Sequence, residues 1–310
     1  MRLVFMGTPE FAVPSLRLLT DSGFPPVCVV TGPDRKQGRG RHVGISPVKV
    51  AAAELGIEHL LQPESVRDPN FAAEIAALKP DVIAVVAYRI LPPSVFTLAA
   101  HGAFNLHASL LPRYRGPAPI HHAIINGEAV TGVTTFFLKE KVDTGNILLQ
   151  KSVPIGPDET TGDLYDRMKV TGAAAVVETV RMIEAGAVRE LAQDEREATE
   201  APKVYAEQGC VQWNLPAKTV HNFIRGFSPL PGAWTVHKGA RIRLLRSRVT
   251  EGLGKPAEVL EAADRLVVAC ADGAVEITEL QKEGRSPHQA AEFLRGYRLK
   301  VGDSLSCPTG

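Results

Sequence analysis

Polar and apolar positions follow two regimes along this chain. Through the first 185 residues, short β-forming runs alternate with stretches whose apolar side chains recur every three or four positions. Residues 2–7, 26–32, 81–88 and 102–107 read as strands, and residues 9–20, 45–55, 70–78 and 120–126 as helices. Such alternation predicts βαβ units on a mainly parallel sheet. A longer helical pattern over residues 160–185, opened by Thr160 and Thr161 as caps and closed by Gly186, ends this domain, 1–185. Residues 186–202 are polar and acidic without apolar periodicity and read as a linker. From 203 to 310 the pattern changes to short strands, at 232–236, 241–248, 258–263, 266–270 and 274–280, separated by Gly and Pro. That pattern predicts a small antiparallel barrel.

Composition refines this picture. A chain of 310 residues with 45% hydrophobic content can bury one large core and one smaller one. The net charge of +1 conceals an asymmetry, because residues 203–310 carry 15 Lys/Arg against 11 Asp/Glu. The four cysteines, Cys28, Cys210, Cys270 and Cys307, show no zinc-type spacing and read as reduced, mostly structural thiols of a cytoplasmic protein. No export signal or bilayer-spanning run is expected, and no long apolar helix face calls for a dimer, so a monomer is expected.

The candidate chemistry gathers at the end of the 102–107 strand. Asn105 and His107, spaced i and i+2, point from one strand face. The Pro/Gly-rich turn Pro112-Arg113-Tyr114-Arg115-Gly116-Pro117 follows, and Asp143-Thr144-Gly145 supplies an acid from elsewhere. An amide donor, an imidazole and a carboxylate are the parts of an acyl-transfer site, two for a developing oxyanion and one to orient the imidazole. Asp-Thr-Gly also marks aspartic proteases, but those need two such carboxylates sharing a proton, and this chain has one. The Gly7-Thr8-Pro9-Glu10-Phe11 segment has one glycine where a dinucleotide loop needs three, and no P-loop motif occurs, so neither a nicotinamide cofactor nor ATP is expected. His121 and His122 fall in a helical pattern and suit packing or surface roles. Two basic clusters remain. Arg35, Lys36, Arg39 and Arg41 crowd a glycine-containing loop, and Lys238, Arg241, Arg243, Arg246 and Arg248 line a strand whose alternation predicts one buried and one strongly positive face.

Taken in order, the opening Leu3-Val4-Phe5-Met6-Gly7-Thr8-Pro9-Glu10-Phe11-Ala12-Val13-Pro14, the loop from Pro33-Asp34 to Gly40, the stretch from Asn105 to Gly116, Asp143-Thr144-Gly145, Ala201-Pro202-Lys203 and the stretch from His221-Asn222 to Gly232 resemble the bacterial methionyl-tRNA formyltransferases over nearly the full length. The resemblance implies a Rossmann-like catalytic domain of formyltransferase fold and an OB-like tRNA-binding barrel. It implies 10-formyltetrahydrofolate as formyl donor, methionyl initiator tRNA as acceptor, and no metal. Asn105, His107 and Asp143 would be catalytic. Ser109, Leu110, Leu111 and Pro112, with Val86, Ala87 and Tyr88, would bind the folate, and Arg35, Lys36, Arg39, Arg41, Lys238, Arg241, Arg243 and Arg246 the tRNA. Tyr88-Arg89-Ile90-Leu91-Pro92 is one residue shorter than the usual form. The alternatives are formyl transfer to a nucleotide sugar or purine precursor, or hydrolysis of the same folate.

Overall fold

The computed structural model describes residues 1–37 and 42–307. In chain order, its earlier elements are β1 (Leu3–Gly7), α1 (Val13–Asp21), β2 (Cys28–Val30), β3 (Arg35–Gln37), β4 (His42–Gly44), α2 (Pro47–Glu54), β5 (Leu60–Leu61), α3 (Pro69–Ala77), β6 (Val82–Val86), α4 (Pro93–Phe96), β7 (Ala103–His107), α5 (Pro119–Ile125), β8 (Val130–Phe137), β9 (Ile147–Pro154) and α6 (Thr161–Glu184). The later ones are α7 (Ala217–Phe227), β10 (Ala233–His237), β11 (Ala240–Thr250), β12 (Val259–Ala262), β13 (Leu266–Ala269), β14 (Ala274–Lys282), β15 (His288–Gln289) and α8 (Ala290–Gly296). The chain divides into two compact units, one of Met1–Gly116, Gly132–Val153 and Tyr165–Glu200, the other of Pro117–Thr131, Pro154–Leu164 and Ala201–Gly310.

The first unit carries a seven-stranded, mainly parallel, Rossmann-like sheet of order β5-β2-β1-β6-β7-β8-β9. β8 runs antiparallel to β7, whereas β5, β2, β1, β6 and β7 are mutually parallel. β1 and β6 are buried at every position, which is why they read as unbroken apolar runs rather than as alternation. Helix starts are equally local in origin. Pro47, Pro69, Pro93 and Pro119 each open a helix, where the missing N–H would have no partner anyway. The Ser46 and Asp68 side chains cap two of these by accepting from Lys49 N and Asn70 N.

Gly7 pairs with Val86 and Val86 with Leu106, so the carboxyl ends of β1, β6 and β7 lie in a row. The chain departs β1 toward β2 on one side and β6 toward β7 on the other, the switch at which open sheets form their crevices. A Cβ on Gly7 would stand 2.7 Å from the Ala12 Cβ and 3.0 Å from the Val86 carbonyl, so close backbone packing accounts for this lone glycine.

The second unit holds an antiparallel sheet of order β10-β11-β14-β13-β12, with β15 added to β14, consistent with a small barrel. Its core joins Val220 and Ile224 of α7 to Ile242, Leu244, Val268, Val275 and Ile277 of the sheet. The sequence pattern predicts strands here and no helix, so α7 is a departure from it. α7 buries polar as well as apolar groups. Arg225 donates to Asn222 Oδ1 and to the Gly156 and Glu159 carbonyls, while His221 meets Ser247 Oγ and the Pro157 carbonyl.

The expectation of four reduced thiols is corrected here, because Cys210 and Cys307 form a disulfide with Cα atoms 5.9 Å apart. Their separation of 97 residues hid the pairing. Cys210 bridges to Trp234 and Ser306 to Val236, so both flanking segments run beside β10 and bring the sulfurs together. Cys28 and Cys270 are buried free thiols, and burial pushes each up to about 12. Among the described residues, no helix is long and apolar enough to cross a membrane.

Candidate active site

β7 ends where chemistry is possible. Along Ala103–His107, only Asn105 is partly accessible, while its neighbours are buried. Strand geometry puts Asn105 and His107 on one face, beside Val85 and opposite Phe136 and Thr134. Their circumstances differ. His107 donates Nε2–H to the Tyr114 carbonyl at 2.8 Å, and its Nδ1 stands 3.8 Å from Asp143 Oδ2. The two side chains are 8% and 11% exposed, so little water dilutes their interaction. Asn105 has a side-chain amide with no hydrogen-bond partner among the described residues. Both were read from sequence as oxyanion donors. The structure leaves the Asn105 amide as the unengaged donor, because a backbone carbonyl already takes the His107 Nε2–H.

The turn after His107 is built to hold that carbonyl. Ser109 Oγ donates to the Arg113 carbonyl at 2.6 Å, and Thr134 Oγ1 donates to the Ser109 carbonyl at 2.6 Å while accepting from Leu111 N. Gln150 donates to the Leu111 carbonyl at 2.8 Å. Leu111-Pro112 is a cis peptide, and Tyr114 adopts a left-handed φ of 61°. Of the four turn residues proposed to meet the folate, Ser109 and Leu111 are buried within the turn's own packing, and Leu110 and Pro112 are more accessible.

Asp143 reaches the site from the loop between β8 and β9. Its φ of 55° is one that Asp tolerates better than most residues. Gly145 is required by close approach, since a Cβ there would fall 1.5 Å from the Phe137 carbonyl. Gly116 N donates to Asp143 Oδ2 at 2.9 Å, joining this loop directly to the turn.

At the neighbouring end of β6, Val86 is fully buried and Ala87 is exposed with a φ of 47°. Tyr88 is half-buried, which raises its phenol above the ordinary value, and Arg89 lies over its ring. Arg89 donates to the Pro63 and Glu64 carbonyls, so the residue at the unusual short segment braces the neighbouring loop.

Of the basic residues singled out, Arg35 is exposed and Lys36 lies in β3, while Arg39 and Arg41 lie outside the described residues. Lys238 pairs with Asp303 at 3.0 Å, Arg241 stacks on Trp234 at 4.0 Å, and Arg243 donates to the Pro229 and Pro231 carbonyls and to Gln281. Arg246 binds Asp163 through two hydrogen bonds of 2.9 and 2.7 Å. The strongly positive strand face expected from alternation is therefore a face of largely compensated charge. Carboxylates and carbonyls from distant parts of the chain meet its guanidinium and ammonium groups, which no local pattern reveals. His121 and His122 donate Nε2–H to the Leu230 and Pro202 carbonyls, in keeping with packing roles. Among the described residues, no three of His, Cys, Asp and Glu converge as a metal-binding group.

Sequence reasoning missed four polar residues that shape this site: Thr134, Gln150, Gln193 and Thr199. Thr134 and Gln150 sit in strands it did not single out, and the other two sit in the segment read as linker.

Residues 1–180 match the family described as formyl transferase, and residues 203–298 match the formyl transferase C-terminal domain. The chain is 48% identical over 310 residues to the methionyl-tRNA formyltransferase of Chlorobium phaeovibrioides, covering 97% of each chain. Among solved structures, the sugar 3N-formyl transferase WlaRD, determined in the presence of dTDP and 5-N-formyl-THF, is 19% identical with a TM-score of 0.69, covering 92% of this chain and 99% of that one. HypX from Aquifex aeolicus, in complex with tetrahydrofolic acid, is 23% identical with a TM-score of 0.65, covering 95% of this chain and 47% of that one. These two likenesses speak to the fold.

Proposed function

Because the chain belongs to the formyl transferase family, and within it to the methionyl-tRNA formyltransferases, we propose that it transfers the formyl group of 10-formyltetrahydrofolate to the α-amine of methionine on initiator tRNA. The observation that carries this reading is the 48% identity over 97% of both chains, which spans the catalytic and the C-terminal parts together. A likeness confined to residues 1–180 would leave the acceptor open.

The site fits the donor. A half-buried Asn105 amide, unengaged among the described residues, and the exposed, left-handed backbone at Ala87 offer the polar groups that a formyl oxygen and a pterin ring require. The folate supplies a formyl group on nitrogen, and the remaining steps are the work of this chain's own side chains. Asn105 donates to the formyl oxygen as it gains negative charge during attack by the neutral amine. His107 is held by the Tyr114 carbonyl with its Nδ1 facing Asp143. A proton leaving the amine is received at Nδ1, where the adjacent carboxylate stabilises the imidazolium, and is passed on to the departing nitrogen. The carbon–nitrogen bond to the amine forms, the bond to N10 breaks, and the proton count is unchanged.

The reading implies that the basic loop around Arg35, Lys36, Arg39 and Arg41 contacts acceptor-end phosphates, with the second unit holding the acceptor arm through Lys238, Arg241, Arg243 and Arg246. The direct test incubates the purified protein with 10-formyltetrahydrofolate and methionyl initiator tRNA, methionyl elongator tRNA, free methionine or no acceptor. Formylation confined to the charged initiator is expected. Folate release without any acceptor would make the protein a hydrolase instead.

A further inference from the structure

The polar segment that sequence reading treats as a linker contacts both halves of the candidate active site. Leu191 exchanges backbone hydrogen bonds with Ile147 at the start of β9, two residues after Gly145. The Gln193 amide donates to the Asp143 carbonyl at 2.9 Å and to the Gly145 carbonyl at 2.8 Å, spanning the loop that carries the acid. Its oxygen accepts from Arg115 Nε at 3.1 Å and Nη2 at 2.7 Å. All four hydrogen-bonding positions of this amide are used, so its orientation is fixed. Glu195 completes the chain by binding the Arg115 guanidinium at 3.0 and 2.7 Å, and that guanidinium holds its carboxyl below the usual range.

Thr199 grips the other half. Its hydroxyl accepts from Tyr114 N at 2.8 Å, and its carbonyl accepts from Arg115 N at 2.8 Å. Tyr114 is the residue whose carbonyl receives the His107 Nε2–H, and it sits at a left-handed φ of 61° that needs support. We propose that Gln193 and Thr199 are positioning residues of the transfer reaction, Gln193 by setting the Asp143 loop and Thr199 by setting the Tyr114 carbonyl that orients His107. The proposal rests on the reading of His107 and Asp143 as the groups that move the proton.

Nothing else holds the backbone of Asp143 through a side chain among the described residues, and a shift of about 1 Å at a reacting group can cost on the order of 100-fold in rate. At metal sites the outer hydrogen-bond partners of ligating histidines and carboxylates are worth roughly 10- to 100-fold, and an effect of the same order is expected for partners that orient a histidine and a carboxylate here.

The test compares Gln193→Ala, Gln193→Glu, Thr199→Ala and Thr199→Ser with the unmodified protein and with His107→Ala, measuring kcat and KM for each substrate, the pH–kcat profile and Tm. Gln193→Glu keeps the length and the Arg115 partner but cannot donate to the two carbonyls. The expected result is a kcat loss of about 10-fold or more for Gln193→Ala, Gln193→Glu and Thr199→Ala, with both KM values within about twofold, a displaced pH–kcat profile, and recovery in Thr199→Ser. If an alanine variant fails to fold, Gln193→Glu and the isosteric Thr199→Val, which loses the acceptor for Tyr114 N and is expected to lose kcat to the same extent, decide the matter. An inactive His107→Ala beside Gln193→Ala, Gln193→Glu and Thr199→Ala of unchanged kcat would overturn the positioning role. A fully active His107→Ala would overturn the underlying reading of the site.

Discussion

Around His107, polar groups answer one another at short range: the Tyr114 carbonyl, the Gly116 N–H, Asp143, Thr134 and Ser109 form a closed set that leaves the Asn105 amide over. Along β11 most of the basic groups are engaged, and the buried Arg241 Nε is the exception, with no hydrogen-bond partner among the described residues. Arg243 and Arg246 are engaged with carbonyls, an amide and carboxylates, and Arg241 lies against Trp234. The first region places one donor where a substrate atom can use it. In the second, any tRNA phosphate must compete with groups of the protein for each cation, so binding there exchanges partners instead of capturing free charge. An unengaged group is the better guide to a candidate site, and charge counts alone overstate how much of a basic surface is free to bind.

The sharpest way to break that contrast is Asn105→Ala. If its amide is the donor to the oxyanion, kcat falls about 100- to 1,000-fold while tRNA affinity and Tm hold. A loss below about tenfold would show that the unengaged amide is incidental.

Next in size is the disulfide of the second unit. Replacing Cys210 and Cys307 together by Ser is expected to lower stability by about 2–4 kcal/mol in denaturant titration, leaving kcat unchanged. Thiol counting on the denatured, unreduced protein should find two free cysteines, Cys28 and Cys270, where four would contradict the pairing.

The compensated strand makes smaller predictions. Asp163→Asn removes the negative partner of Arg246 and is expected to tighten tRNA binding a few-fold and steepen its salt dependence by about one phosphate contact, whereas Arg246→Ala weakens binding only slightly. In a double-mutant cycle this partly exposed pair should couple by less than about 1 kcal/mol. Binding that is unmoved by Asp163→Asn would remove Arg246 from the interface.

Acid gives the mildest probe. Partial burial works to raise the Asp163 carboxyl, but Arg246 and Thr160 outweigh it and hold it at about 2, against an ordinary 3.8. Lys238, with the Lys300 N–H, holds Asp303 at about 2. Both folded-state values lie below the unfolded ones, so their contribution is complete above pH 4 and fades as pH falls toward 2. Unfolding of the second unit, followed by the fluorescence of Trp213 and Trp234, should become easier across that window, and Asp303→Asn should flatten the trend.

Much of the first unit was legible because its information is local. Apolar runs marked β1 and β6, helical periodicity marked α1, α2 and α3, Thr160 and Thr161 marked the start of α6, and Asn105 and His107 declared a shared face by spacing alone. The illegible parts rest on long-range pairing. β8 mixes Thr131, Thr134 and Thr135 into a buried strand, so neither alternation nor an apolar run appears. α7 carries a regular apolar stripe at Ala217, Val220, Ile224 and Phe227, which a reading of this region as short strands passes over because Gly and Pro punctuate everything that follows it. Residues 191–199 bury no apolar face and act through hydrogen bonds, so hydrophobic periodicity had nothing to report. Cys210 and Cys307 became neighbours only through β10.

The path of the chain has its own consequence. It passes between the two compact units five times, after Gly116, Thr131, Val153, Leu164 and Glu200. Within the second unit, the Thr161 hydroxyl donates to the Gly226 carbonyl, and a Cβ on Gly226 would come within 2.4 Å of Ile125. A fragment starting at residue 203 would therefore leave behind Pro117–Thr131 and Pro154–Leu164, the pieces that α7 is fitted to. The halves are sewn together rather than strung in series. A recombination event that exchanged one C-terminal half for another would have to bring matching stitches into the front half as well, so inheritance of the two as a single block is the outcome this weave favours.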